Sequence, residues 1–377
     1  MRVLFLGRDD LLKNIGGDRI QVEQTKQELE KLGVSVDLKT GRDFECAGYD
    51  LIHVFQLDWN MDCFYQVKKA KDSGLPVVLS AIHHSVAEVK RFDEEYVFDF
   101  RRVSRVLFTD QFNRDLFKEF YRSVLSLKRL AKVFSAINIG LKNTYKAALE
   151  NADMVLVQTE KEVEDLKNTF QVNFCWAKVL NGVGAQFLPK ATQDIKNLLP
   201  FEDYIICVGR LEPRKNQLSV IDAVETLRNR LNKDIKLVLI GSWARKKHFE
   251  YTYKIEKKLE GNKWIVHLPQ VKYAKMPAYY KFAKVCVSAS WFETTGLTSL
   301  EALYCGANAV ASGERAQEYL KDMVSYCDPG CIESISDAIL HEYTASRPVL
   351  DTRIFDRYTW ANTARDINDL YVKLTHA

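Results

Sequence analysis

Two carboxylates, Glu293 and Glu301, stand on either side of Gly296 in the run Phe292-Glu293-Thr294-Thr295-Gly296-Leu297-Thr298-Ser299-Leu300-Glu301, just after the apolar stretch Val285-Cys286-Val287-Ser288-Ala289. The apolar stretch predicts a strand ending near Ser290, the glycine a tight turn, and the residues from Thr298 onward a helix. Peptide N–H groups then converge in front of a helix N-terminus, a place that suits a diphosphate. Glu293 on the loop can face a sugar, and Glu301 in the first helical turn can face the two hydroxyls of a ribose. Thr298-Ser299-Leu300-Glu301 is also a capping box, which by itself accounts for a glutamate three residues after a threonine. Both readings stay open at the level of this segment alone.

A second segment offers the opposite charge. Gly209-Arg210-Leu211-Glu212-Pro213-Arg214-Lys215-Asn216 follows the apolar run Tyr204–Val208 and precedes a helical pattern from Leu218 to Leu231. Arg210 and Lys215 would flank a helix N-terminus at the carboxyl edge of a strand, where open α/β sheets bind ligands. Arginine brings a planar fork to phosphate oxygens and lysine a mobile point charge. A solvated charged loop is the plainer alternative. Nowhere does an Asp-x-Asp pair or a His/Cys cluster with ligand spacing occur, so the residues imply no bound metal.

The elements that must carry these groups are legible from periodicity. Arg2–Leu6, Leu51–Phe55, Val77–Ile82 and Met154–Val157 are short apolar runs, with helical patterns at Ile20–Leu32 and Lys161–Thr169; a second series runs through Tyr204–Gly209, Ile235–Gly241, Trp264–His267, Val285–Ala289 and Ala307–Ala311. Alternation of this kind predicts parallel sheets wrapped by helices. A chain of 377 residues suits two domains. Their join is expected between Asn181 and Leu199, where Asn181-Gly182-Val183-Gly184 and Pro189 precede residues without strong period. The net charge of +4 is too small to imply nucleic acid, and eight cysteines without Cys-x-x-Cys spacing read as reduced cytosolic thiols. The opening Val3-Leu4-Phe5-Leu6 is interrupted by Gly7-Arg8-Asp9-Asp10 and reads as a strand rather than a signal segment.

The spacing of Glu293 and Glu301, followed by Ala302-Leu303-Tyr304-Cys305-Gly306, together with Gly209-Arg210 and Lys215-Asn216 upstream, resembles the retaining glycosyltransferases of family 4. The resemblance implies the GT-B fold: α/β, with two Rossmann-like domains facing across a cleft. Residues 1–185 would form an acceptor-side domain, 186–355 a nucleotide-sugar domain, and a C-terminal helix over 356–377 would pack back on the first. It implies that Arg210 and Lys215 bind the donor phosphates with the backbone of Thr295, Gly296 and Leu297, that Glu301 binds the ribose, that Glu293 lies against the donor sugar, and that Gly241 and Val271 border the base. Gly16 and Gly17 resemble the family's glycine-rich loop, although a plain turn explains two glycines as well. His83 and His84 end the third strand where the family often places a histidine near the transferred sugar; a core or loop histidine is the alternative for each. The implied partners are a UDP- or GDP-linked sugar and a glycan or lipid-linked acceptor, with no cofactor and no metal. Gly184, Thr295 and Asn308-Ala309-Val310 depart from the family's common residues and bear on acceptor and nucleotide preference. An epimerase or phosphorylase on the same architecture, or a non-catalytic scaffold subunit, is the rival reading.

One feature lies outside this pattern. Between Asn113 and Ala147, Arg114, Lys118, Arg122, Lys128, Arg129, Lys132, Lys142 and Lys146 are interleaved with apolar residues and opposed only by Asp115 and Glu119. Such a basic amphipathic stretch can lie peripherally on an anionic leaflet. An ordinary core-facing helix with solvated lysines explains the same residues.

Overall fold

The apolar runs become strands of two parallel sheets in a computed structural model of the chain, which describes residues 1–12, 16–95, 106–123, 139–244, 248–349 and 351–376. The chain forms two units, one from Met1–Val86, Val103–Gly182 and Arg357–Ala377, the other from Ala87–Arg102 and Val183–Asp356.

In the first unit β1 (Arg2–Gly7), β2 (Ser35–Thr40), β3 (Leu51–Phe55), β4 (Val77–Ser80), β5 (Met154–Val157) and β6 (Trp176–Lys178) lie in the order β2-β1-β3-β4-β5-β6, every described pairing parallel. Side chains alternate across a strand, so β1 sends Leu4 and Leu6 into one core and Val3 and Phe5 into another. Burial on both faces is why the strands read as continuous apolar runs. Helix Trp360–Thr375 places Ala364, Ile367 and Tyr371 in the Val3/Phe5 core. Tyr371 Oη meets Nδ1 of His53 at 2.5 Å, and burial holds His53 down at about 3, hence neutral.

In the second unit β7 (Tyr204–Val208), β8 (Leu237–Ile240), β9 (Ile265–Leu268), β10 (Ala283–Val287), β11 (Asn308–Ala311) and β12 (Ser325–Tyr326) lie in the order β12-β11-β10-β7-β8-β9, again parallel. The chain runs outward from β7 through β8 and β9, then returns to the other side of β7 with β10. The order therefore reverses between β7 and β10, the kind of place at which open α/β sheets bind ligands. The segment Ala87–Arg102, expected in the first domain, clusters with this second unit. Its reason is visible at Phe92, which is buried between Trp291 and Phe292 at ring centroid separations of 5.9 and 5.6 Å.

Much of the basic stretch, residues 124–138, lies outside the described residues. Of the rest, Arg114 is buried, its Nε donating to the Phe108 carbonyl at 2.8 Å, so it is not presented to a membrane. Helix Leu141–Asn151 turns Thr144, Ala148 and Leu149 inward, with Asn60 Nδ2 donating to Thr144 Oγ1 at 2.6 Å. Among the described residues, no helix is long and apolar enough to cross a membrane. All eight cysteines are free thiols.

Candidate functional site

The two sequence segments meet at the reversal point of the second sheet. After β7 the backbone passes Gly209, makes a short 3-10 turn at Pro213–Lys215, and enters helix Gln217–Leu231 through Asn216 in a left-handed conformation. After β10 it passes Ser288–Gly296 and enters helix Leu297–Tyr304, one residue before the expected start, with Gly296 at φ 80°. The Trp291 N–H donates to the Arg214 carbonyl at 2.9 Å, stitching one loop to the other.

Lys215 Nζ donates to Glu293 Oε1, and Arg214 Nη1 stands 3.5 Å from the same oxygen while also donating to the Phe292 carbonyl at 3.2 Å. Burial would raise the Glu293 carboxyl, but the charges of Lys215 and Arg214, with hydrogen bonds from Lys215 and Ser290, hold it down at about 2. Glu293 is therefore ionised and tightly placed. Glu212, buried, accepts from Arg214 at 3.2 Å and pairs with Arg210 at 3.2 Å, so one carboxylate aims two guanidinium groups. Burial opposes its charge as well, and Arg214, Arg210 and Lys215 together keep it below the ordinary value. The Arg210 side chain remains 43% exposed, the most open of the three cations.

Glu301 behaves differently. Its two oxygens accept from Tyr273 Oη at 2.7 Å and from Tyr280 Oη at 3.1 Å, and burial raises its carboxyl to about 7 against both bonds. The helix has Gly296 at its N-cap with no side-chain cap bond, so Glu301 is not spent on a capping box. At the same helix start the hydroxyls of Thr295 and Ser299 are buried without a partner, and the first N–H groups of any helix lack intrahelical acceptors. Unmet donors at a helix N-terminus beside Lys215 are what an anion would satisfy.

Gly241 ends β8 at φ 154°, and a Cβ there would stand 2.0 Å from the Gly209 carbonyl oxygen. The two neighbouring strands can release their loops this close together only with glycine. The Gly241 carbonyl also meets His267 Nε2 at 2.9 Å, and Val271 lies two residues before Tyr273, the partner of Glu301.

In the first unit the candidates gather at the carboxyl edge as well. His83 is buried, its ring 5.8 Å from Phe170 and 6.1 Å from Tyr145, whereas the His84 side chain is 24% exposed. Asp58, just past β3, receives His83 Nδ1 on one oxygen and both the backbone N–H and Nδ1 of His84 on the other, at 3.0 and 2.6 Å. Burial opposes the Asp58 charge, yet His83 and His84 hold it well below the ordinary range. Each histidine so held directs Nε2 away from Asp58. Gly16 caps the helix that starts at Gly17, and Arg8 Nε donates to Asp18 Oδ2 at 2.6 Å to fix that helix start. A Cβ at Gly17 would meet nothing within 4 Å, so the protein itself does not demand a glycine there.

Sequence reasoning missed Arg214, Glu212, Tyr273, Tyr280 and Asp58. Arg214 and Glu212 lay inside the quoted basic motif, and Tyr273 two residues after Val271; Tyr280 and Asp58 carried no local signal. Among the described residues no group of three or more His, Cys, Asp or Glu could hold a metal ion.

Residues 190–342, which contain every one of these second-unit groups, match the family model of glycosyl transferases group 1. That stretch is similar to the group 1 glycosyl transferases. Over 185 residues the chain is 27% identical to the O-antigen chain mannosyltransferase B of Escherichia coli, an alignment spanning 46% of this chain and 47% of that one, about half of the relative's length. Over nearly full length it superposes on sucrose-phosphate synthase from Thermosynechococcus elongatus with a TM-score of 0.71 at 17% identity, covering 99% of this chain and 98% of that one. Anabaena HepE in complex with UDP gives 0.60 at 13%, covering 99% and 100%. At these identities the likeness shows the fold, which is GT-B.

Proposed function

We propose that this protein is a glycosyl transferase that moves a sugar, with retention at the anomeric carbon, from a nucleoside diphosphate sugar to a hydroxyl of a glycan or lipid-linked glycan. The observation that carries the reading is the pair of contrasting carboxylates at one reversal point: Glu293 ionised on Lys215 and Arg214, and Glu301 cradled by two tyrosines. A donor fits between them in one direction. Its ribose hydroxyls reach Glu301, its diphosphate lies on Lys215, Arg210 and the start of helix Leu297–Tyr304, and its sugar continues past the phosphates toward Glu293. HepE, which shares the fold, is a complex with UDP, and that supports a nucleotide as the ligand class.

As the glycosidic bond breaks, negative charge builds on the diphosphate, and the lysine, the arginines and the helix N-terminus already face it. Such preorganised charge lowers the barrier without reorganisation during the reaction. In the retaining route the acceptor oxygen attacks the anomeric carbon from the face that the diphosphate vacates, and the departing phosphate oxygen takes its proton. The route needs no protein nucleophile, which leaves Glu293 to orient the sugar. The cations supply the charge neutralisation, so no metal or other cofactor is invoked. A lipid-linked acceptor would bring the enzyme to the inner face of a membrane, held peripherally.

Calorimetric titration with UDP and with GDP tests the donor site. Micromolar binding of one nucleotide, lost in Glu301→Ala and in Lys215→Ala, is expected. Absence of binding by the wild-type protein, or full binding by both variants, sinks the assignment. Conversion of a nucleotide sugar with no acceptor present would turn the reading to an epimerase.

A further inference from the structure

From Ala87 onward, helix Val86–Glu95 belongs to the second unit. Phe92 is buried against Trp291 and Phe292, the Arg91 guanidinium lies 5.7 Å over the Trp291 ring, and its Nη2 donates to Asp328 at 2.7 Å. Glu88 stands four residues before Phe92 and so shares its face of the helix. Its Oε1 accepts from the Glu314 N–H at 3.3 Å and lies 2.9 Å from the place a Cβ on Gly313 would take. Gly313 and Glu314 follow β11, directly beside β10, whose loop carries Glu293. A carboxylate from another part of the sequence is thereby set over the carboxyl ends of β10 and β11, on the same edge as the donor groups. Burial chiefly, with the charges of Glu314 and Glu293 adding, pushes the Glu88 carboxyl up to about 7 against the pull of Arg315 and the Glu314 amide.

We propose that Glu88 is a specificity-determining residue that accepts hydrogen bonds from hydroxyls of the transferred sugar, an inference that rests on the donor placement given under Proposed function. Glu293 is engaged by Lys215, Arg214 and Ser290. A sugar extending from the phosphates toward Glu293 next meets the Glu88 carboxylate, which can accept from a neighbouring hydroxyl. Carboxylates are strong acceptors for sugar hydroxyls because each oxygen takes two bonds and the charge strengthens both. The short glycine at 313 is consistent with this: a side chain there would push Glu88 off its position.

The test compares wild type, Glu88→Gln and Glu88→Ala by calorimetry with UDP, UDP-glucose, UDP-galactose, GDP and GDP-mannose, and follows thermal unfolding of all three. In the wild type one sugar nucleotide binds more tightly than its bare nucleotide. The expected result is that Glu88→Ala loses roughly tenfold in affinity for that sugar nucleotide, the size of one charged hydrogen bond, and Glu88→Gln loses less. Both keep the affinity for the bare nucleotide and remain cooperatively folded. Variants that bind the sugar nucleotide as the wild type does overturn the proposal, as does a wild type for which no sugar alters nucleotide affinity. Equal loss of the bare nucleotide makes the role structural and overturns it too. Unchanged donor binding with a raised KM for an acceptor overturns it in favour of acceptor recognition. A wild type that binds neither nucleotide fails at the donor site itself, before Glu88 enters.

Discussion

Glu301→Gln separates what the site costs the fold from what it gives the ligand. Burial raises the Glu301 carboxyl from 4.5 to about 7, against the two tyrosine hydrogen bonds that favour the charged form. Because the folded value lies above the unfolded one, the stability contributed by this group is full below 4.5 and is lost progressively as pH rises through about 7. At about 1.4 kcal/mol per pH unit of difference, the loss reaches about 3 kcal/mol at about pH 8.5. Glutamine keeps the shape, accepts from one tyrosine and does not ionise. The stability of the variant relative to wild type should therefore shift by about 2.5 kcal/mol in the variant's favour between about pH 5 and about pH 8.5, read by urea unfolding across that range. Binding should move the other way. A ribose diol donates best to an ionised carboxylate, so wild-type affinity for the nucleotide that binds should climb between about pH 6 and about pH 8, while the variant binds weakly and without that slope. A stability difference that is flat with pH refutes the burial argument, and undiminished nucleotide binding by the variant refutes the assignment of Glu301 to the ribose.

Gly241→Ala should cost more than about 2 kcal/mol, since its Cβ would meet the Gly209 carbonyl oxygen at 2.0 Å in a backbone conformation that side chains avoid. Gly17→Ala, whose Cβ meets nothing, should leave the melting temperature unchanged or slightly higher, and similar losses in both would refute the steric reading. Asp58→Asn should destabilise the first unit by about 1–3 kcal/mol near neutral pH. The folded Asp58 carboxyl sits below its ordinary 3.8, so its contribution is present above that value and disappears as pH falls; the penalty should shrink toward about pH 3 in urea unfolding, and a constant penalty would show that the histidines do not depend on its charge.

The strands that were legible are those buried on both faces. Leu51–Phe55 and Met154–Val157 carry their own apolar signal, because every residue must fit a core above or below the sheet. Ser35–Thr40 pairs with β1 alone and spends Asp37 and Lys39 on polar surroundings; Trp176–Lys178 and Ser325–Tyr326 are too short to show a period. These three gave no pattern to read. At the site, the residues legible in advance were those whose spacing along one loop sets their position, such as Arg210 and Lys215, or Glu293 and Glu301. The partners that decide how those groups behave come from elsewhere in the chain. Whether Glu301 is a cap or a ligand turns on Tyr273 and Tyr280, brought in from the segment before β10, and local spacing favoured neither. The two glutamates are equivalent as letters, yet one is held at about 2 by cations and the other near 7 by burial. That divergence is a property of the packed edge, and in the proposed donor placement it suits the two carboxylates to different ends of one donor. The docking of Phe92 makes the same point for Glu88. Long-range contacts, those of Phe92 with Trp291 and Phe292 among them, carry that helix to the second sheet, so no reading of its own neighbourhood could have placed its carboxylate on the edge that carries Glu293.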